Sequence, residues 1–470
     1  MKSDSIKTVA KTFALTALCG TGLHASAAEK PNVILIMADD LGWGDIAAHG
    51  HPVIKTPVLD QMIREGTDYC QWTVASSVCS PMRASVMTGK FPSRFSIHKY
   101  LGTPEQNREN GMTDWLDPKT TLLPRLLRDA GYTTAHFGKW HLSQDSYEAP
   151  HPKVYGYDRA AVWCAKGPSI FYKCPPTDDP LGRIDREAPE FLTIAAVNHS
   201  ERFIRDSVGA GKPFFLNLWI HETHTPVTAT EEQKSLYSSV AEPERTYYAC
   251  VTRADTQIGR IMKLLKELHI DEKTLVIFTS DNGPELQTPT SPKSVGSTGG
   301  LKGRKRSLMM GGIGTPFVVR WPGRLPVNRV DKTSVIGSVD LLPTLCEIAG
   351  ISLPSEYKSD GVSVLPALEG KDLARGKDLF WDWRFEHDAT QYGDYWWPAG
   401  AVRRGSWMLL LSQDGERMEL YNLDDDRNQD NNVATAHPEI VAKLKIALQE
   451  WQKTIPESPN PECIINGIGN

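Results

Sequence analysis

Four short apolar runs, each closing on charged or imidazole side chains, constrain this chain more than any other feature. Asn32-Val33-Ile34-Leu35-Ile36-Met37 is continuous and β-branched, and residues 133–137, 213–220 and 274–279 share its character. An unbroken hydrophobic run is what a strand buried on both faces of a parallel sheet requires. Helical patterns alternate with these runs. One covers residues 122–130; another covers 247–268, with apolar positions at Val251, Ala254, Ile258, Leu265 and Leu268. Strands alternating with helices predict an α/β fold, a large and mostly parallel sheet flanked by helices. Ligands of such sheets bind beyond the carboxyl ends of the strands. Here those ends carry Asp39-Asp40, Lys139-Trp140-His141, His221-Glu222-Thr223-His224 and Asp281-Asn282-Gly283, which together describe one site.

The 470-residue chain has a formal net charge of −5, which gives no hint of a nucleic-acid-binding surface. An anionic substrate would have to be met by locally clustered positive charge. Residues 1–27 read as a signal peptide: Lys2, Lys7 and Lys11 precede a short apolar stretch and the cleavage pattern Ala25-Ser26-Ala27. That stretch is too short to span a bilayer, so a periplasmic or secreted protein is expected. Cys19 raises a lipoprotein alternative, which Leu18 argues against. Export permits disulfides; Cys164 and Cys174 are the best candidate pair, while Cys250 and Cys346 read as core thiols. Residues 28–365 form the expected catalytic domain and 366–470 a smaller C-terminal α+β domain. In the latter, 401–411 and 419–423 read as strands and 438–454 as an amphipathic helix. Residues 143–190 and 284–300 read as loops at the rim of the site.

Cys79 opens the run Cys79-Ser80-Pro81-Met82-Arg83. Pro81 suits a first helical turn, and Gly89 would stop that helix after Thr88. A helix start favours an anion, and Arg83, one turn on, can point back at it. The bland alternative is a structural cysteine. Asp39, Asp40, Asp281 and Asn282 offer only oxygen ligands, three of them anionic, which suits calcium, with magnesium less suited. Taken singly, Asp39-Asp40 could cap a helix and Asp281-Asn282-Gly283 could be a turn. Lys139 and His141, two apart on an extended segment, would point to the same face.

The pattern Cys79-x-Pro81-x-Arg83, followed by Ala84-Ser85 and Thr88-Gly89, resembles the signature of type I sulfatases of the alkaline phosphatase superfamily. In that family the cysteine is oxidised to formylglycine. The resemblance extends from about Pro31 to near Trp451 through residues 32–45, 138–142, 223–226, 279–283 and 301–316, in the family's order. It implies an alkaline-phosphatase-like fold and hydrolysis of sulfate esters through formylglycine made from Cys79. It implies one calcium ion held by Asp39, Asp40, Asp281, Asn282 and the modified Cys79, with a formylglycine-generating enzyme acting during maturation. It makes Arg83, Lys139 and Lys305 sulfate contacts, His141 the partner of the formylglycine hydrate and His224 the general acid. Aligning Gly303, Ser307 and Gly311-Gly312 puts the lysine at Lys305 rather than Lys302. Met309-Met310, Gly314 and Met82 depart from the family pattern. His136 and His221 read as structural.

Trp381, Trp383, Trp396 and Trp397 with Arg384 and His387 would form either a sugar-binding rim or an interdomain core. With export, this favours a sulfated carbohydrate over a small aryl sulfate. A phosphonate monoester or phosphodiester hydrolase of the same superfamily is the competing activity, and an inactive sulfatase-like binding protein a further reading. Oligomeric state stays open.

Overall fold

The computed structural model describes residues 30–143, 149–163, 189–373, 375–384 and 397–465. The expected signal peptide, Cys19, Cys164, Cys174, His387 and Trp396 lie outside the described residues.

The main sheet has eight strands: β1 (Asn32–Ala38), β2 (Thr67–Tyr69), β3 (Thr133–Lys139), β4 (Arg159–Trp163), β5 (Phe214–Trp219), β6 (Thr274–Ser280), β7 (Phe317–Arg320) and β8 (Arg329–Asp331). Their spatial order is β4-β3-β5-β1-β6-β7-β2-β8. Only β7 runs antiparallel to its neighbours β6 and β2. The other pairings are parallel. The four apolar runs are therefore the central strands β3, β5, β1 and β6, and all seven residues of β1 are buried.

The pleat of β1 divides the core between two faces. Val33, Leu35 and Met37 pack in one cluster with Met82 and Val86 of the helix Cys79–Thr88. Ile34 and Ile36 pack in the other, against the helices Leu192–Gly209 and Glu244–Glu267. Alternation along a strand sends successive side chains to opposite faces, so an unbroken apolar run is what two covered faces demand.

A second, antiparallel sheet follows, of β9 (Leu379–Asp382), β10 (Gly400–Arg404), β11 (Trp407–Leu411) and β12 (Met418–Asn422), with the helix Pro438–Gln452 contributing to its core. The single strand expected over 401–411 is in fact a hairpin. Gly405, at φ +59°, makes the tight turn that splits it. The loop expected over 143–190 contains β4, an edge strand whose short apolar stretch Ala160-Ala161-Val162-Trp163 the loop reading overlooked. The second sheet shares the core of the first. Trp381 and Trp383 are 2% and 3% exposed, and Trp381 Nε1 donates to Val74 O at 2.8 Å. Trp397, 9% exposed, belongs to the same cluster. All three tryptophans are thus packed into the shared core, and Trp383 and Trp397 also present an edge to a cavity beside the second sheet.

Candidate active site

Asp39, Asp40, Lys139, His141, Asp281 and Asn282 are buried at the strand ends, and His224 is half-buried beside them and within reach of Cys79. The helix carrying Cys79 begins at that residue and ends at Gly89, which takes φ +63° as its left-handed cap. Arg83, one turn on, is fully buried and donates to Asp281 Oδ2 at 2.6 Å and to Lys139 O at 3.1 Å. It lies 3.6 Å from Asp39 Oδ2 and 5.0 Å from the centre of the Trp219 ring. Lys139 Nζ pairs with Asp39 Oδ2 at 2.5 Å. Lys305 Nζ pairs with Asp40 Oδ2 at 2.7 Å and reaches Glu285 Oε2 at 3.4 Å. Lys302 instead lies 3.5 Å from Tyr421 OH, so Lys305 is the lysine of the basic loop that enters the cluster.

The donor set fits a hard cation. One oxygen from each of Asp39, Asp40 and Asp281 lies within 4.8 Å of the others, and Asp39, Cys79 and His224 form a second such group. Asn282 Nδ2 donates to Asp40 Oδ1 at 2.7 Å, while its buried Oδ1 has no hydrogen-bond partner among the described residues. Three carboxylates and an amide oxygen left open are a calcium-type or magnesium-type set. The charge balance adds to this. Asp39, Asp40 and Asp281 are offset by Arg83, Lys139 and Lys305, so a divalent cation would leave the centre net positive, which suits an anionic ester.

Electrostatics follow from burial and crowding. Burial opposes ionisation of Asp39, but Lys139, with His224, Arg83 and Lys305, outweighs it and holds the carboxyl well below the usual range. Asp281 moves up, through burial and then the adjacent Asp39. Two carboxylates this close cannot both ionise freely without a cation. Burial also pushes the Cys79 thiol up despite Lys139 and Lys305, so the unmodified residue is a poor thiolate nucleophile.

His224 donates from Nδ1 to Thr225 O at 2.6 Å, and its Nε2 faces Asp40 Oδ2 at 3.9 Å. Burial, then Lys139, lowers its pKa to about 4. His141 is held by Leu101 O at 3.1 Å from Nε2. The chain does not stay extended through His141, as the two-residue spacing had suggested. β3 ends at Lys139, and His141 takes φ +50°. Asp40 is left-handed too, at φ +65°. Non-glycine residues in that region store about 1–3 kcal/mol each and cluster at functional sites. His136 contacts the rings of Trp140, Tyr157 and Trp219 edge-on and bonds Lys139 O at 3.1 Å, a framing role.

Sequence reasoning passed over two buried carboxylates. Glu285, held to about 2 by Lys305 and Arg306 against the effect of its burial, neutralises the basic loop. Its signal was the run Lys302-Gly303-Arg304-Lys305-Arg306, in which a lysine that enters the site, as Lys305 does, needs a counter-charge. Asp45 accepts from Ser297 N at 2.7 Å, Gly42 N at 2.8 Å and Tyr247 OH at 2.8 Å, tying residues 296–299 to the first strand end.

Oxygen ligands for a hard cation and three cationic side chains, gathered at a helix start beyond a parallel sheet, define a hydrolase of anionic esters. The sulfatase family matches residues 31–351, and the family described as N-sulphoglucosamine sulphohydrolase, C-terminal, matches residues 303–454. The chain is 33% identical over 380 residues to N-acetylgalactosamine-6-sulfatase of Canis lupus familiaris, covering 76% of this chain and 70% of that protein. It is 31% identical over 392 residues to arylsulfatase G of Rattus norvegicus, covering 75% and 71%. The crystal structure of Ps i-CgsB in complex with k-i-k-neocarrahexaose has the same fold, with a TM-score of 0.78 at 23% identity over 91% of this chain and 94% of that one. The chain belongs to the sulfatase family and is a sulfuric ester hydrolase.

Proposed function

We propose that this chain is an exported sulfatase that removes sulfate from a sulfated carbohydrate, using formylglycine made from Cys79 and one calcium ion. The observation that carries the reading is the balanced cluster of three carboxylates and three cations packed around Cys79. Asp39, Asp40, Asp281 and Asn282, with the modified residue 79, would hold the ion. Hydrated formylglycine supplies an oxygen nucleophile and a second hydroxyl, and the ion supplies Lewis acidity.

The remaining work belongs to the chain's own side chains. Arg83, Lys139 and Lys305 bind the sulfuryl oxygens and oppose the charge that builds there. His224 is neutral while the site holds no anion, and an anionic ester beside it raises its basicity. It can then hold a proton on Nε2 and pass it to the departing sugar oxygen. His141 accepts a proton from position 79. Export rests on the N-terminal basic and apolar pattern. None of the described helices is long and apolar enough to cross a membrane.

For a saccharide, two observations agree. The relatives above include a protein named for an N-acetylgalactosamine sulfate and a structure holding a carrahexaose. A cavity of about 870 Å³ between Asn110 and the second sheet is also lined by Trp383, Trp397, Arg384, Gln413, Lys445 and Gln449, side chains suited to sugar rings, hydroxyls and charge. Initial rates on a panel of sulfated saccharides, an aryl sulfate and an aryl phosphodiester test the assignment. Saccharide desulfation is expected to dominate, and a dominant diesterase activity would sink it. Mass spectrometry of the peptide containing position 79 tests the nucleophile, since full activity with an intact thiol is incompatible with it.

A further inference from the structure

The hydrogen bond that holds His141 decides which ring nitrogen is left for chemistry. Nε2 lies 3.1 Å from the carbonyl oxygen of Leu101. A carbonyl only accepts, so Nε2 carries the hydrogen and Nδ1 keeps a lone pair. Nδ1 is buried with no hydrogen-bond partner among the described residues. Leu101 is tethered in turn: its N–H donates to the hydroxyl oxygen of Ser80 at 3.0 Å. Ser80 follows Cys79 in the first helical turn, and Ser80, Leu101 and His141 are 0%, 0% and 2% exposed. One main-chain unit thus connects the residue beside position 79 to the imidazole. The surrounding segment has other anchors. Gly102 N donates to Asn107 Oδ1 at 2.7 Å, and Asn107 Nδ2 donates back to Gly102 O at 3.3 Å. Loss of the Ser80 contact should therefore shift Leu101 locally rather than unfold the loop.

We infer that Ser80 is a positioning residue which, through Leu101, holds His141 as the Nε2–H tautomer with Nδ1 presented as a proton acceptor. The inference rests on the proposed role of His141 as the proton acceptor for position 79. In the step it serves, the O–H bond of the free hydroxyl at position 79 breaks and its proton goes to Nδ1. The electron pair left on oxygen forms the carbonyl, and the bond to the sulfate oxygen breaks with its pair leaving on sulfate. That step follows departure of the alcohol, so slowing it lowers kcat and KM together and leaves kcat/KM unchanged.

Two measurements test this. Long-range nitrogen–proton correlation spectra of histidine-labelled protein, with His141 assigned by comparison with His141→Gln, should show protonated Nε2 and bare Nδ1. They should show a changed tautomer balance in Ser80→Ala. Both spectra can be recorded with Cys79 still a thiol, from a host lacking the modifying enzyme. Protonated Nδ1 in the parent protein, or an unchanged His141 signal in Ser80→Ala, overturns the inference. In the converted enzyme, with rates divided by formylglycine content from mass spectrometry, Ser80→Ala should lower kcat and KM together by about 10- to 100-fold. Ser80→Thr, which keeps the hydroxyl, should restore both. An unchanged kcat in Ser80→Ala also overturns it. Failure of the functional reading looks different: an active enzyme with a thiol at position 79, in which the tautomer spectra still decide the role of Ser80.

Discussion

Two buried ionic clusters lie side by side in this protein, joined by the Asp39 N–H, which donates to Glu222 O at 2.9 Å. In the first, Arg253 donates from Nε to Glu222 Oε1 at 2.8 Å and from Nη1 to Thr228 O at 2.8 Å and Gln233 Oε1 at 3.0 Å. The hydroxyl of Thr193 donates to the other Glu222 oxygen. No polar atom of either side chain is left over among the described residues. In the second, around Cys79, Arg83 Nε, His141 Nδ1, His221 Nε2 and Asn282 Oδ1 are all buried without hydrogen-bond partners. Buried polar groups are normally satisfied, so the contrast separates a frame from a site poised for a ligand. The frame also shapes the site, since Glu222 belongs to the loop that carries His221 and His224.

Breaking the frame should have the largest effect on stability. Arg253→Leu leaves Glu222 without its counter-charge in the interior, and urea unfolding should show a loss of about 3–5 kcal/mol. The double variant Glu222→Gln with Arg253→Leu should recover part of that loss. A single variant losing under about 1 kcal/mol would mean that the pair is not a frame. Lys305→Met attacks the other cluster. It should lower kcat/KM by about 10²- to 10³-fold, with a smaller stability loss than Arg253→Leu when calcium is present. A Lys305→Met enzyme within threefold of the parent, roughly 0.7 kcal/mol, would remove Lys305 from the chemistry.

Calcium sharpens the same contrast from the ligand side. Ligand at about 100 times its dissociation constant stabilises by about 2.7 kcal/mol. The parent protein should gain thermal stability on that scale, Asp281→Asn should gain much less, and Arg253→Leu should keep the gain. A fourth expectation concerns pH. Burial lowers the His136 pKa from 6.5 to about 3, so between those values the unfolded chain binds a proton that the folded chain refuses. The stability linked to His136 is therefore complete above about pH 6.5 and is lost as pH falls toward 3. Subtracting the stability curve of His136→Gln from that of the parent should reveal a fall of about 2–3 kcal/mol between pH 6 and pH 4. A flat difference would mean that His136 is not excluded from protonation.

The poised cluster was more legible in the sequence than the frame. Parallel strands buried on both faces leave unbroken apolar runs, and the residues after them point to the carboxyl edge, so Asp39, Asp40, Lys139, His224 and Asp281 could be grouped before any fold was known. The spacing rule misjudged the backbone at His141, because it assumes an extended chain and the strand stops at Lys139. The pairings of Glu222, which was grouped with the strand-end residues, and of Glu285 were hidden because nothing local distinguishes a buried paired carboxylate from a solvated one. Their partners, Arg253 and Lys305, come from distant segments. Ser80 was read only as a spacer in the Cys79 motif, since its one visible task is to hold a main-chain N–H on another loop. The tryptophan-rich stretch stayed ambiguous because aromatic residues suit a sugar surface and a core equally.

The smallest expected effect addresses that ambiguity. The Arg417 guanidinium lies 3.9 Å from the centre of the Trp397 ring and pairs with Glu419 at 3.0 Å, with 47% of the Arg417 side chain exposed. Trp397 itself is 9% exposed, and the arginine occupies part of its surroundings that a sugar would need for stacking. If Trp397 belongs to the frame, Arg417→Ala should cost only about 0.5–1 kcal/mol of stability and leave KM for a sulfated saccharide unchanged. If the tryptophan instead binds sugar, uncovering its face should change KM while stability scarcely moves. Paired unfolding and saccharide kinetics on this variant therefore decide whether the second sheet adds to the frame or to the poised site.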